Sequence, residues 1–334
     1  MAYTTIDDSS AYFQVMTYTG NGTGRTITND GNSDMQPDLV WIKNLSAPDG
    51  HVWVDSLRGA TKRFETENGV AEVTEAQSVT SFSSDGFGIG TDADVNENNE
   101  NYVAWLWKKG STPGIDMKLY TGTQAALTIT HSCGAAPKLA IVKCRSLGRS
   151  WCVYHHETGA DPNDMVLHLN TTAAAVDYGA EYWNGTDPTS TEWYTQAAHD
   201  TNKTGETFIV YLFAEIQGFS RIGLFTGNGD TDGTFVNTGF KPSFILMKEH
   251  DAVSGWGVWD NRHSTTYNPR SSVIQPNSIA VPYTGSSYAI DFLSNGFKIR
   301  HNDGAYNGDD DPYIYAAFAE NPLVTSGGVP ATAE

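Results

Sequence analysis

The sequence predicts an all-β protein made of three tandem antiparallel β-sandwich units of jelly-roll type. Three observations carry that expectation. A short phrase returns about every hundred residues: "YTGNG" at 18–22, "YTG" at 120–122 and "FTGNG" at 225–229. The apolar segments, such as "LVWIK", "FILMK" and "FIVYLF", are β-branched, aromatic and too short for helices. The 33 glycines and 13 prolines supply turns, and six to eight short strands fit each hundred-residue unit.

Each unit opens on a strand ending in the repeated phrase, whose Gly and Asn residues tolerate positive φ and so form a turn. A Pro, an apolar run and a Lys follow: "QPDLVWIKN" at 36–44, "APKLAIVKC" at 136–144 and "KPSFILMKE" at 241–249. These place Lys43, Lys143 and Lys248. Twelve residues after each lysine stands Asp55, His155 or Asp260, closing "HVWVD", "WCVYH" and "WGVWD". "SDGFGIG" at 84–90 and "SNGFKIR" at 294–300 carry Asp-Gly and Asn-Gly, strong hairpin signals. The second unit lacks that phrase; "EWYTQAAHD" stands in roughly its place. Each unit closes on an aromatic-rich run: "YVAWLW" at 102–107, "FIVYLF" at 208–213 and "IYAAFA" at 314–319.

The boundaries follow: an N-terminal arm at 1–11, units at 12–110, 111–218 and 219–323, and a tail at 324–334. No Gly/Pro/Ser-rich linker separates the units, so they are expected to pack together or share strands. The best short-helix candidate is "NTTAAAVDY" at 170–178.

The net charge of −19 is spread along the chain, with −7, −5 and −4 in the three units. No basic patch exists to meet a phosphate backbone, which argues against sequence-independent nucleic-acid binding. No apolar run reaches the length of a membrane-spanning helix, and the first residues lack the basic and apolar regions of a signal peptide. Cys133, Cys144 and Cys152 are odd in number and form no CxxC, so they read as buried thiols in a chain made in a reducing cytoplasm.

Several residues invite a chemical reading. Lys43 with Asp55, Lys143 with His155, and Lys248 with Asp260 are expected to meet across hairpins as structural pairs. Asn228, Asp230, Asp232 and Gly233 resemble the start of a calcium loop, although Gly239 stands where the closing glutamate belongs. The acidic stretches "DADVNENNE" at 92–100 and "NGDDDP" at 307–312 read as solvated loops with room for a cation. His155 and His156 lie near Cys144 and Cys152, a zinc arrangement only if the fold brings them together. Trp53, Trp105, Trp151, Trp256 and Trp259 fall in strand phrases and are assigned to packing. Trp183, with Tyr182, falls in an apparent loop and is the candidate for a surface contact with a glycan or partner. No nucleophile elbow, zinc-protease motif or P-loop occurs.

Taken in order, "MAYTTIDDSSAYFQ", the "YTGNG" turns, "PDLVWIKN", "DSLRGATK", "SDGFGIG", "NYVAWLWKKG", "TGFKPSFILMK" and "DFLSNGFKIR…YIYAAFAENP" resemble a family of tailed-bacteriophage virion proteins. The likeness covers nearly all of 1–323. It implies repeated sandwiches similar to concanavalin-like or SPRY-like folds, a structural, fibre or decoration role in the virion, and no catalytic residues or cofactor. The expected partners are other virion proteins, further copies of this chain in the particle, and, for an adhesin, a host-surface glycan. No nucleic-acid or membrane partner is expected. The chain shows no heptad or β-helical shaft sequence, which favours a capsid decoration protein over a tail fibre. The acidic arm "TTIDDSSAY" and one sandwich edge are the expected contacts with the particle.

Overall fold

The computed structural model describes residues 3–264 and 266–332. It is nearly all β, and every strand pairing is antiparallel. The same strand order recurs in the three stretches. In the first, the main sheet runs Phe13–Thr19, Asn101–Trp107, Leu39–Asn44, Val52–Asp55, Lys62–Phe64, Val73–Thr74. In the second it runs Ile115–Thr121, Thr207–Ala214, Pro137–Cys144, Cys152–His155, Met165–His168, Val176–Asp177. In the third it runs Ser220–Thr226, Pro312–Pro322, Phe240–Glu249, Gly257–Asp260.

A smaller sheet covers one face of each main sheet. It comprises Arg25–Thr28, Gly86–Ile89 and Val79–Ser83 in the first unit, and Phe235–Asn237, Gly296–Ile299 and Ile290–Leu293 in the third. Among the described residues the second unit has only Leu127–Thr130 with Glu192–Thr195, so "EWYT" takes the place of Gly86–Ile89, and the hairpin strand equivalent to Val79–Ser83 is missing.

The closing strands are apolar on both faces because each lies between two layers. Tyr102, Ala104 and Leu106 point into the first unit's own sandwich core. Val103, Trp105 and Trp107 point the other way, into a core that all three units share. Phe208, Val210 and Leu212 alternate with Ile209, Tyr211 and Phe213 in the same manner. Tyr313, Tyr315 and Ala317 alternate with Ile314, Ala316 and Phe318. A period of two on a doubly covered sheet therefore reads as an unbroken apolar run. The expectation that the units pack together holds, and the means is a common core rather than an exchanged strand.

That core is aromatic. Trp41, Trp53, Trp105, Trp107, Trp151, Trp256, Phe13, Phe244 and Phe318 belong to it, with ring centroids of neighbouring pairs 4.7–5.8 Å apart at Trp41–Trp105, Trp53–Trp151 and Phe13–Phe244. Each fully buried large apolar side chain contributes on the order of 1.5–3 kcal/mol before entropy. The five tryptophans assigned to packing are all at most 2% exposed.

Two elements differ from expectation. Residues 170–178 form no helix. The Ala175 N–H instead donates to the His250 carbonyl of the third unit, at 2.7 Å, and Val176–Asp177 pairs with Met165–His168. Three alanines are too few to nucleate a helix against that competition. The N-terminal arm does not extend away from the units. Tyr3 Oη donates to the Gly239 carbonyl at 2.5 Å, Thr4 Oγ1 donates to the Gln217 carbonyl at 2.9 Å, and Ile6 is 2% exposed. The arm is folded onto the third unit, and Asp7 holds Ser326 of the tail.

Candidate functional site

The repeated phrase marks a backbone lock. Gly20, Gly122 and Gly227 run so close to a neighbouring loop that a Cβ would lie 2.0, 2.1 and 2.2 Å from the carbonyl oxygens of Glu97, Lys203 and Gly308. The aromatic ring before each stacks on the closing strand: Tyr18 on Tyr102, Tyr120 on Phe208 and Phe225 on Tyr313, each at 5.2 Å. A buried asparagine completes the lock. Each ends a four-residue helix: Ala93–Asn96, His199–Asn202 and Gly304–Asn307. Asn96 Oδ1 accepts from the Asn21 N–H at 3.0 Å, and its Nδ2 donates to the Thr23 and Gly90 carbonyls at 2.8 and 2.7 Å. Asn202 and Asn307 do the same in their units.

Sequence reading treated 92–100 and 307–312 as acidic loops and gave 199–202 no such reading, and the structural role of the asparagines passed unnoticed. Their only signal was "DVN", "DTN" and "AYN" at a fixed place before each closing strand. Asn96→Ala leaves one N–H and two carbonyls without partners, each worth about 1–3 kcal/mol when buried. The variant is expected to lose roughly 2–4 kcal/mol in urea unfolding; a loss below 1 kcal/mol would contradict this account of the lock.

The Lys–Asp pairs do not form. Antiparallel register sets Leu39 opposite Asp55, Leu139 opposite His155 and Phe244 opposite Asp260. Lys43, Lys143 and Lys248 each lie four residues farther along, roughly 13 Å away at about 3.3 Å per residue. A hairpin brings together positions of constant sum, and the even spacing of twelve joins its two opposite ends.

All six residues instead bind the units to one another or fix the loops at their junctions. Asp55 Oδ2 accepts from Tyr211 Oη at 2.8 Å, linking unit one to unit two. His155 Nε2 donates to the Tyr315 carbonyl at 3.2 Å, linking two to three. Asp260 Oδ2 accepts from Trp105 Nε1 at 2.9 Å, linking three to one. The chain of contacts closes into a ring.

A second ring runs in the opposite sense. Trp151 Nε1 donates to the Glu65 carbonyl at 2.9 Å, Trp256 Nε1 to the His168 carbonyl at 3.0 Å, and His51 Nε2 to the Gln275 carbonyl at 3.1 Å. The lysines pin the same loops. Lys43 Nζ donates to the Asn44, Asp49 and Ile279 carbonyls at 2.8, 2.9 and 3.1 Å, and Lys143 Nζ to Gly69 and Arg149 at 3.0 and 2.6 Å. Lys248 Nζ reaches the Glu249 and Ala252 carbonyls of its own unit. Burial pushes all three ammonium groups down to about 8.

The other sequence candidates fall elsewhere. Trp183 and Tyr182 are 1% and 7% exposed and belong to the second unit's core. They stack around Tyr154 and Trp193, filling the opening that the missing hairpin strand leaves. They are therefore not a surface contact. Asn228, Asp230 and Asp232 share one hairpin tip, but Asn228 Oδ1 and Asp230 Oδ1 accept from the tip's own N–H groups. Asp232 meets Lys298 at 2.7 Å and Arg300 at 3.3 Å. The stretch at 92–100 holds a cation of its own chain: Arg63 lies 2.6 Å from Glu65, 2.8 Å from Asp92 and 2.6 Å from Asp94. The three cysteines are free and buried.

Sequence reading also missed a polar cleft of about 540 Å³ between the first and third units. Asp30, Asn32, Asn261, Arg262, Tyr267 and Glu320 line it, and Tyr267 is 77% exposed. Its signal was lost because its walls come from opposite ends of the chain.

Fold and junctions define a class: an all-β chain whose three like units close on one another around a common aromatic core. Residues 8–322 match the family described as Domain of unknown function (DUF7483), and the chain belongs to that family. No curated protein matches the sequence. Among solved structures, the chain is similar at 7% identity and a TM-score of 0.16 to that described as "Crystal Structure of the STIV MCP", over 65% of this chain and 94% of that one. A likeness at that level carries no argument.

Proposed function

We propose that the protein is a non-enzymatic surface component of a tailed-phage particle, and that it serves as a capsid decoration protein. The resemblance of its phrases to phage virion proteins supports the setting. The observation that carries the role is the closed ring. The polar groups that recur in each unit, Asp55, His155 and Asp260 above all, are committed to holding units together. A head-to-tail contact that closes after three steps gives one chain the symmetry of a cyclic trimer. Such a body offers three like edges to a threefold site between capsomers. The evenly distributed acidic charge keeps crowded neighbouring copies apart. In this reading the chain is made in the host cytoplasm and acts on the virion, bound to other virion proteins.

Imaging of particles tests the role. Density for the chain is expected at threefold or quasi-threefold positions of the shell, and recombinant protein added to stripped particles should saturate those positions. Density on the tail alone would move the assignment to a host-binding adhesin. Absence from the particle would overturn the proposal.

One observation favours that second reading. The cleft beside Tyr267 joins an exposed aromatic ring to carboxylates, amides and a guanidinium, the chemistry that recognises sugars. A glycan array comparing the native protein with Tyr267→Ala addresses it, and identical flat signals would remove it.

A further inference from the structure

The second unit departs from the first at one polar cluster. Equivalent positions follow from the sheet register and the short helices. Val52, Glu65 and Asp94 of the first unit correspond to Cys152, His168 and Asp200 of the second and to Gly257, Gln275 and Ala305 of the third. The second ring of contacts confirms this match, since the carbonyls that accept from the neighbouring unit are those of Glu65, His168 and Gln275. The helix match rests on Asn96, Asn202 and Asn307, which share one hydrogen-bonding pattern.

In the first unit a cation sits among these positions. The Arg63 guanidinium touches Glu65, Asp92 and Asp94 and so ties the strand Lys62–Phe64 to the short helix Ala93–Asn96. The residue corresponding to Arg63 in the second unit is Val166, which belongs to the apolar core. The carboxylate of Asp200 remains, and Cys152 Sγ and a ring nitrogen of His168 have joined it. The three ligand atoms all lie within 4.8 Å of one another. A tetrahedral zinc shell with bonds of 2.0–2.3 Å sets such atoms roughly 3.3–3.8 Å apart, within reach of small side-chain rotations.

We propose that Cys152, His168 and Asp200 bind one Zn²⁺ ion, which takes over in the second unit the tie that Arg63 makes in the first. Thiolate, imidazole and carboxylate form a mixed sulfur, nitrogen and oxygen set that suits zinc, with solvent completing four-coordination. Cys152 is fully buried, and among the described residues its Sγ hydrogen-bonds only to the Ser150 carbonyl, at 3.8 Å. The His168 ring makes no hydrogen bond among the described residues, so its nitrogens are not committed to another partner there. The side chain of Asp200 is 29% exposed and gives the ion access from solvent.

Two cations face the cluster. Arg149 stands 3.4 Å from Asp200 but is held by Glu206 through two bonds of 2.7 and 2.8 Å. Lys143 is spent on the Gly69 and Arg149 carbonyls. Tyr182 Oη donates to Asp200 at 3.4 Å. On binding, a zinc–sulfur bond replaces the S–H bond of Cys152, and the proton leaves to solvent. Because binding releases that proton, affinity rises with pH.

Full-length protein, reduced with a phosphine and stripped with a chelator, would be titrated with Co²⁺ at pH 7.5. A thiolate-to-cobalt absorption band should grow to one equivalent and vanish on adding Zn²⁺. Three substitutions borrow residues that the other units already carry at these places: Cys152→Val, His168→Gln and Asp200→Ala. Cys152→Val should abolish the band, and the other two should weaken binding at least tenfold. Cys133→Ala should leave it unchanged. No band at tenfold excess Co²⁺, a band that survives Cys152→Val, or unchanged affinity in both His168→Gln and Asp200→Ala would each overturn the proposal. Far-UV circular dichroism checks that each variant is folded. Should Cys152→Val not fold, the other two variants and the native titration decide alone.

Discussion

Acidification from pH 6.5 to 4.5 is expected to remove roughly 5 kcal/mol of stability, an unusually large loss above the range where most carboxylates titrate. The cause lies at two unit junctions and in the third unit. His51 Nδ1 accepts from Trp41 Nε1 at 3.0 Å while its Nε2 donates to the Gln275 carbonyl. His155 Nδ1 accepts from the Glu157 N–H at 3.2 Å while its Nε2 donates to the Tyr315 carbonyl. Each ring thus uses both nitrogens in its neutral form, and a second proton would point a donor at a donor. Burial, with Lys43 beside His51 and with His156, His250 and Lys138 beside His155, pushes both down to about 3. His301 is pushed down to about 4 by burial, against the opposing pull of Asp303.

The sign follows from linkage. These folded-state values lie below the ordinary value of about 6.5, so across this window the unfolded chain binds the extra protons. Their stabilisation is complete above pH 6.5 and is lost as pH falls. Glu67 works the other way. Burial raises it to about 7, so it is protonated first in the folded state and stabilises on acidification down to about pH 4.5. Three histidines less one glutamate leave about two protons, or roughly 2.7 kcal/mol per pH unit. Calorimetry at fixed ionic strength between pH 7 and 4.5 reads this as a steep fall in Tm. His155→Gln should flatten the slope by about half. A Tm constant over that range would show that these rings are not held neutral at the junctions.

The second large effect is expected from Asp55→Ala. Asp55 is fully buried and meets Arg58 Nε at 2.5 Å, with both side chains at 0% exposure. It also accepts from Tyr211 Oη across the junction and from the N–H groups of Leu57 and Arg58. Removing it leaves a buried guanidinium facing Glu72 at 3.3 Å and the Trp53 carbonyl at 3.1 Å. Breaking one side of such a pair costs about 3–5 kcal/mol, because the surviving charge stays buried. Asp55→Ala with Arg58→Met removes both charges and should recover more than half of that loss in a double-mutant cycle. Urea unfolding of the three variants measures it. A single variant within 1 kcal/mol of the native protein would mean that the ring is not closed through this residue.

The strands were legible because their signals are local. "LVWIK" and "FIVYLF" state their own length and burial, and "SNGF" states its turn. The Lys and Asp positions were legible as repeated and misread as partners, because spacing along a hairpin says nothing of register until the loop length is known. Trp183 was misread because a loop reads as exposed unless one sees the gap it fills. The buried asparagines are single polar letters in polar surroundings, and only their carbonyl partners reveal them. The cleft beside Tyr267 and the cluster at Cys152 join residues tens or hundreds apart, a distance over which composition and periodicity carry no signal.

By itself, then, the sequence determined that the chain is all β, where its strands begin and turn, and that one unit departs from the others, since those follow from propensities acting over a few residues. Only the tertiary structure decided that the units close head to tail around one aromatic core. It decided too that Asp55, Asp260, His51 and His155 bond across the junctions and that the repeated lysines pin the loops there. The physical reason is that a buried polar group takes whichever partner the packed chain brings within about 3 Å, and at the junctions that partner belongs to another unit.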